Sequence, residues 1–131
     1  MIRGISHVAF DVADMEKSID FYCGVLGFQD AFELKDEAGN PWIRYIKVAN
    51  NQFIELFYNR KGENLIGSYS HICLEVEDVI GIANHLKTNK IVLDSEPTQA
   101  VDKNWQCWAK DPDGNRIEFM QMNPESPQCK A

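Results

Sequence analysis

The chain has 131 residues, 44% hydrophobic and 25% charged, which bounds it to one compact unit or two very small ones of soluble globular type. Its net charge of −7 argues against nucleic acid and anionic membrane surfaces, since both call for a basic face. Four cysteines (Cys23, Cys73, Cys107, Cys129) without a CxxC pair fit free thiols in a reducing cytoplasm, and no apolar run nears the roughly 18–20 residues of a membrane span.

The chain opens directly on a strand pattern rather than a leader, and a cytoplasmic location is expected. Residues 5–12 alternate, with Val8, Phe10 and Val12 on one side and Ile5, His7, Ala9 and Asp11 on the other. Asp14 offers an N-cap to a helix carrying Ile19, Tyr22, Cys23 and Leu26, and Gly27 stops it. Residues 28–35, 42–48 and 52–58 read as strands, separated by a Glu37-Ala38-Gly39-Asn40-Pro41 turn and by Asn50-Asn51. Residues 59–69, with Gly62 and Gly67, form a connection.

The second half repeats this order. Residues 71–76 are a strand, and Asp78 caps a helix whose inner stripe is Val79, Ala83 and Leu86. Residues 90–93 form a short strand, and 94–103, with Pro97, a loop or irregular edge. Residues 105–109 and 116–122 are strands flanking Asp111-Pro112-Asp113-Gly114, a turn in which proline presets φ and glycine accepts positive φ. From Asn123 the tail is expected to be poorly ordered at its end.

The repeat extends to polar residues. His7 and His71 are 64 positions apart, as are Asp14 and Asp78, and Glu55 and Glu118 are 63 apart. A duplicated module explains this spacing. Strand parity sets His7 opposite Val8, Phe10 and Val12, and groups Glu55 with Phe53 and Phe57. In the second half it groups His71 with Cys73 and Glu75, and Glu118 with Arg116, Met120 and Met122. If a helix covers each aliphatic face, the histidines and glutamates line the opposite, concave faces. Two imidazoles and two carboxylates suit a divalent ion such as Zn²⁺, Ni²⁺, Co²⁺, Mn²⁺ or Fe²⁺.

Four stretches carry a family resemblance: Ser18-Ile19-Asp20-Phe21-Tyr22 with Leu26-Gly27, Ile54-Glu55-Leu56-Phe57-Tyr58-Asn59, Ser70-His71-Ile72, and Asp111 through Glu118. Over residues 5–122 the sequence resembles the vicinal oxygen chelate superfamily of glyoxalases, bleomycin resistance proteins and dioxygenases, and within it glyoxalase I (lactoylglutathione lyase). The resemblance implies an α+β fold. Two paired βαβββ modules, about 1–61 and about 68–123, would form a cup-shaped metal site in a single domain, 1–131. It implies a homodimer and a metal quartet of His7, Glu55, His71 and Glu118. It also implies a mechanism: a substrate chelates the metal through two vicinal oxygens, an enediolate forms, and Glu55 or Glu118 moves the proton, with Glu118 favoured.

Two positions depart from the glutathione-using members. Asp11 stands where they carry an arginine, and no basic residue lies in 67–70. Asn59 alone keeps a residue associated with their glutathione site. The expected substrate is therefore a different thiol adduct, a ketose or a 2-oxo compound. Lys103 and Arg44 are candidate anchors for an anionic group, and Arg116 shares the Glu118 face. Of Trp105 and Trp108, on opposite faces, one is core and the other lines a pocket or interface; Trp105 is taken as the substrate-contacting one. Trp42 and Tyr45 either line a pocket or cover a sheet. Competing readings are an acyl-CoA or sugar epimerase, a ring-cleaving dioxygenase, a thiol transferase acting on an epoxide antibiotic, and a drug- or metabolite-sequestering binder.

Overall fold

Alternation of buried and exposed positions builds two similar sheets. The computed structural model describes residues 6–58, 69 and 71–131. The chain divides into two compact units, Met1–Gly67 and Ser68–Ala131.

The first unit runs β1 (His7–Val12), α1 (Met15–Ile19), β2 (Gln29–Lys35), β3 (Pro41–Ala49) and β4 (Gln52–Tyr58). Its four-stranded sheet has the order β1-β4-β3-β2, with β1 parallel to β4 and the other pairs antiparallel. Asp14 caps α1 by accepting from the Lys17 amide at 3.1 Å. The helix then widens into a π-helical stretch, Asp20–Val25, where a single α-helix was expected. There Leu26 N–H reaches the Phe21 carbonyl at 3.0 Å, and Gly27 turns the chain at φ 75°. Phe10, Val12, Met15, Phe21, Tyr22, Ile46, Ile54 and Leu56 are buried. Burial of each large side chain is worth about 1.5–3 kcal/mol.

The second unit repeats the plan with β5 (Ile72–Glu75), α2 (Val79–Thr88), β6 (Leu93–Gln99), β7 (Trp105–Lys110) and β8 (Arg116–Gln121). Its sheet order, β5-β8-β7-β6, matches the first position by position, again with the first and last strands parallel. Asp78 caps α2 by accepting from Ile80 and Gly81 amides at 3.0 Å. Val79, Ala83 and Leu86 are buried, as the stripe predicted, together with Cys107, Ala109, Ile117 and Phe119. The α+β class is the expected one.

One local alternative is settled and one expectation corrected. Residues 94–99, read as part of a loop or irregular edge, continue β6 as an edge strand. An edge strand tolerates a missing N–H, and the ladder shifts register between Ser95 and Thr98. The tail from Asn123 is docked rather than loose: Ser126 is buried and caps a short helix, α3 (Pro127–Lys130).

Three hairpins share one closure. In Asp36–Asn40, Ala100–Asn104 and Asp111–Asn115, the first N–H donates to the fifth carbonyl and the fourth N–H donates to the first carbonyl. The fourth residue has positive φ in each: Gly39 at 82°, Lys103 at 74° and Gly114 at 83°.

Candidate functional site

In the first unit, β1 and β4 lie side by side with His7 opposite Phe53 and Ala9 opposite Glu55. His7 Nδ1 stands 3.5 Å from Glu55 Oε1, with side-chain exposures of 46% and 8%. A carboxylate this buried needs partners. Tyr45 faces Glu55 across the β3–β4 pair. The neighbouring Glu55 carboxylate, with burial, holds the Tyr45 phenol above its ordinary pKa. The Tyr45 ring stacks on Phe32 at 4.3 Å and meets Phe53 edge-on at 6.2 Å, while Trp42 meets Phe57 at 6.0 Å.

The second unit repeats the pair. His71, just before β5, points Nε2 at Glu118 Oε2 from 3.4 Å, with side-chain exposures of 36% and 11%. Glu118 has Cys73 on one neighbouring strand and Trp108 on the other. Burial first, then the neighbouring Glu118 carboxylate, push the Cys73 thiol up to about 12. Trp108 meets the His71 ring edge-on at 4.9 Å, and the Arg116 guanidinium carbon lies 4.4 Å from the Trp108 ring centre.

The donor atoms fit a divalent ion. Two atoms each about 2.0–2.2 Å from one tetrahedrally held ion stand about 3.4 Å apart. The two observed separations are 3.5 and 3.4 Å. Each pair offers one imidazole nitrogen and one anionic oxygen, with the histidine exposed and the glutamate drawn into the sheet. Among the described residues, no group of three or more His, Cys, Asp or Glu is gathered to hold a metal. Each unit thus carries one His–Glu pair.

The remaining candidates are scattered. Asp11 is exposed on β1, opposite Phe57 and on the His7 side. Arg116 borders Trp108, and its carbonyl accepts from the Tyr69 hydroxyl at 2.9 Å. Trp105 is exposed on the face of β7 opposite to that of Glu118, and it is Trp108 that stands beside the His71–Glu118 pair. Lys103 is exposed in the β6–β7 hairpin, and its carbonyl accepts from the Gln99 and Asn123 side-chain amides at 3.0 Å. Arg44 is already engaged: it forms a two-pronged pair with Asp30, and its NH1 lies 3.4 Å from Glu33 Oε2, which also accepts from the Tyr58 hydroxyl at 2.7 Å. Asn59 lies outside the described residues. The contacts of Tyr45 and Cys73 with the glutamates are absent from the sequence reading. One signal could have found the aromatics, since Tyr45 and Trp108 each precede a glutamate by ten positions.

Comparison with known proteins extends over the same residues. The family model described as the Glyoxalase/Bleomycin resistance protein/Dioxygenase superfamily matches residues 4–119. A Synechocystis protein named "Probable lactoylglutathione lyase" is 31% identical over 129 residues, covering 89% of this chain and 94% of that protein. Metallothiol transferase FosB of Staphylococcus haemolyticus is 29% identical over 126 residues, covering 91% of this chain and 84% of that protein. Among solved structures, TnmS3, an antibiotic binding protein from Streptomyces, shares the fold with a TM-score of 0.76 at 22% identity, covering 93% of this chain and 98% of that one. No helix among the described residues is long and apolar enough to cross a membrane.

Proposed function

The chain belongs to the Glyoxalase/Bleomycin resistance protein/Dioxygenase superfamily, and from that premise we propose that it is a metal-dependent isomerase or lyase of glyoxalase I type. The observation that carries this reading is the duplicated His–Glu pair, at 3.5 and 3.4 Å in the two units. His7, Glu55, His71 and Glu118 would hold the ion, which is one of Ni²⁺, Co²⁺, Zn²⁺, Mn²⁺ or Fe²⁺, with the two units acting as halves of one functional domain. Such an ion supplies Lewis acidity that makes a C–H beside a carbonyl easier to deprotonate.

The protein's own groups do the rest. The Glu118 carboxylate takes the proton from one carbon of a small substrate with vicinal oxygens and returns it to the neighbouring carbon. Trp108 and Arg116 border that carboxylate and shape the approach to it. Asp11 sets a negative charge on the His7 side of β1, which favours a substrate other than a glutathione adduct. The same reading makes the protein a cytoplasmic homodimer.

A binding-only reading competes on one observation: Phe32 and Trp42 are exposed members of the aromatic contacts around Tyr45 and Phe57, a surface on which a planar metabolite can stack. Metal analysis of the purified protein, followed by turnover of hemithioacetals, 2-oxo sugars and acyl-CoA esters after metal reconstitution, separates the two. Bound metal and turnover that Glu118→Gln abolishes are expected. No affinity for Ni²⁺, Co²⁺ or Zn²⁺ favours the binder. Fast turnover of the methylglyoxal–glutathione hemithioacetal overturns the substrate reading.

A further inference from the structure

Trp108 joins the second His–Glu pair to a cation. Its ring meets His71 edge-on at 4.9 Å, its strand partner is Glu118, and the Arg116 guanidinium carbon lies 4.4 Å from its centre. The strand partner of Arg116 itself is Lys110, so the guanidinium reaches diagonally across to the rung that holds Glu118. Arg116 and Glu118 are two apart on β8 and share one face.

The other cations considered are engaged or remote. Arg44 is held by Asp30 and Glu33, and Lys103 sits in the β6–β7 hairpin. Lys110 Nζ stands 3.3 Å from Asp94 Oδ1. Among the described residues no carboxylate is ion-paired with exposed Arg116, and Glu118 is paired with His71 instead. A guanidinium laid on an indole is held through its face, which leaves the N–H groups along its planar edge to grip two oxygens at once. Holding the side chain on the ring also removes in advance part of the freedom a ligand would otherwise have to freeze. With Lys110 neutralised by Asp94, the local excess is one positive charge, which matches a carboxylate better than a doubly charged phosphate.

We infer that Arg116, laid on Trp108 beside Glu118, is the carboxylate-binding residue of the second unit and that the substrate is a small acid, its carboxylate on Arg116 and its reacting carbon at Glu118. This rests on the reading of the His71–Glu118 face as the substrate face and narrows it, because an uncharged ketose or aldehyde leaves the fork without an acceptor. Two residues of strand set the two groups about 6.8 Å apart, so carboxylate and reacting carbon belong to one short chain.

The test is NMR titration of the full chain with pyruvate and with its uncharged analogue pyruvamide, in the presence of chelator so that no metal helps to hold the acid. Wild-type protein is expected to prefer pyruvate by at least about 10-fold. Arg116→Gln is expected to weaken pyruvate binding about 10–100-fold and to change pyruvamide binding less than about twofold, whereas a merely structural role would move both alike. Arg116→Lys keeps the charge without the fork and is expected to fall between the two. Lys110→Gln removes a neighbouring charge only and is expected to cost less than about threefold. Equal binding of acid and amide by the wild type, or equal losses of pyruvate in the Arg116→Gln and Lys110→Gln proteins, overturns the inference. Co²⁺ uptake by the wild type, measured separately, keeps the two readings apart. No uptake with the acid preference intact overturns the metal reading alone, and uptake without the preference overturns this inference alone.

Discussion

The indole of Trp108 meets the imidazole of His71 edge to face, with ring centroids 4.9 Å apart and planes at 68°. Trp108 is also the strand partner of Glu118. It therefore touches one member of the second His–Glu pair and neighbours the other. Trp108→Ala removes a wall from His71, and metal affinity is expected to fall about 10–100-fold. Trp105→Ala removes a ring from the opposite face and is expected to leave affinity within about twofold. Parallel metal titrations decide this, and equal losses in the two variants count against it.

Lys103 holds φ at 74° in a hairpin whose two counterparts place Gly39 and Gly114 at that position. A left-handed conformation costs a side-chain-bearing residue roughly 1–2 kcal/mol, partly offset by the greater entropy a glycine loses on folding. Lys103→Gly is therefore expected to stabilise the protein by about 0.5–1 kcal/mol, read as a higher urea midpoint. The converse change, Gly114→Lys, is expected to destabilise by about 0.5–1 kcal/mol. A Cβ at Gly114 would meet nothing within 4 Å, so backbone conformation alone sets that cost.

Patterning made most of the fold readable because each sheet has one buried face. The alternation in β1 and the caps Asp14 and Asp78 predict elements that form as expected. β6 was legible only as a loop or irregular edge, because Pro97 disqualifies a central strand, whereas an edge strand needs N–H groups on one side only. At the candidate site, His7, Glu55, His71 and Glu118 stand out as repeated letters. Tyr45, Cys73 and Trp108 are different letters, and which residue faces a glutamate depends on strand register. Buried Asn104 was equally silent, since its partners lie in the loop before it and in a tail that composition marked as loose.

Several acidic protons are held more tightly in the folded chain. Burial, aided by the Glu96 charge, pushes the Cys107 thiol up to about 11, and burial likewise takes the Tyr69 phenol to about 12. With folded values above the unfolded ones, these groups contribute stability that is complete below the unfolded values of about 8.5–10 and lost as pH rises toward the folded ones. The urea midpoint is expected to hold between about pH 7 and pH 8.5 and to decline steadily above about pH 9. A midpoint unchanged through about pH 11 would refute the assignment. At about pH 8 a thiol reagent is expected to modify exposed Cys129 before buried Cys107, which mass spectrometry of the labelled peptides resolves.

Asn104 is fully buried at the end of the β6–β7 hairpin. Its amide nitrogen donates to Asp102 Oδ2 at 3.0 Å and to Gln128 Oε1 at 3.5 Å, and its oxygen accepts from the Asn123 amide at 2.9 Å. One side chain thus ties the hairpin to the segment entering α3. Asn104→Ala strands the Asn123 N–H and deprives the Asp102 carboxylate of a donor, so a loss of about 1–3 kcal/mol is expected. The loss should also be local: amides of residues 123–130 are expected to exchange faster than those of β7 and β8, because the anchor joins only the tail to the hairpin. Gln128→Ala breaks only the longest of these contacts and is expected to cost less than about 0.5 kcal/mol. Hydrogen exchange on the three proteins separates the cases, and an Asn104→Ala variant with a protected tail would show that the tail docks through other contacts.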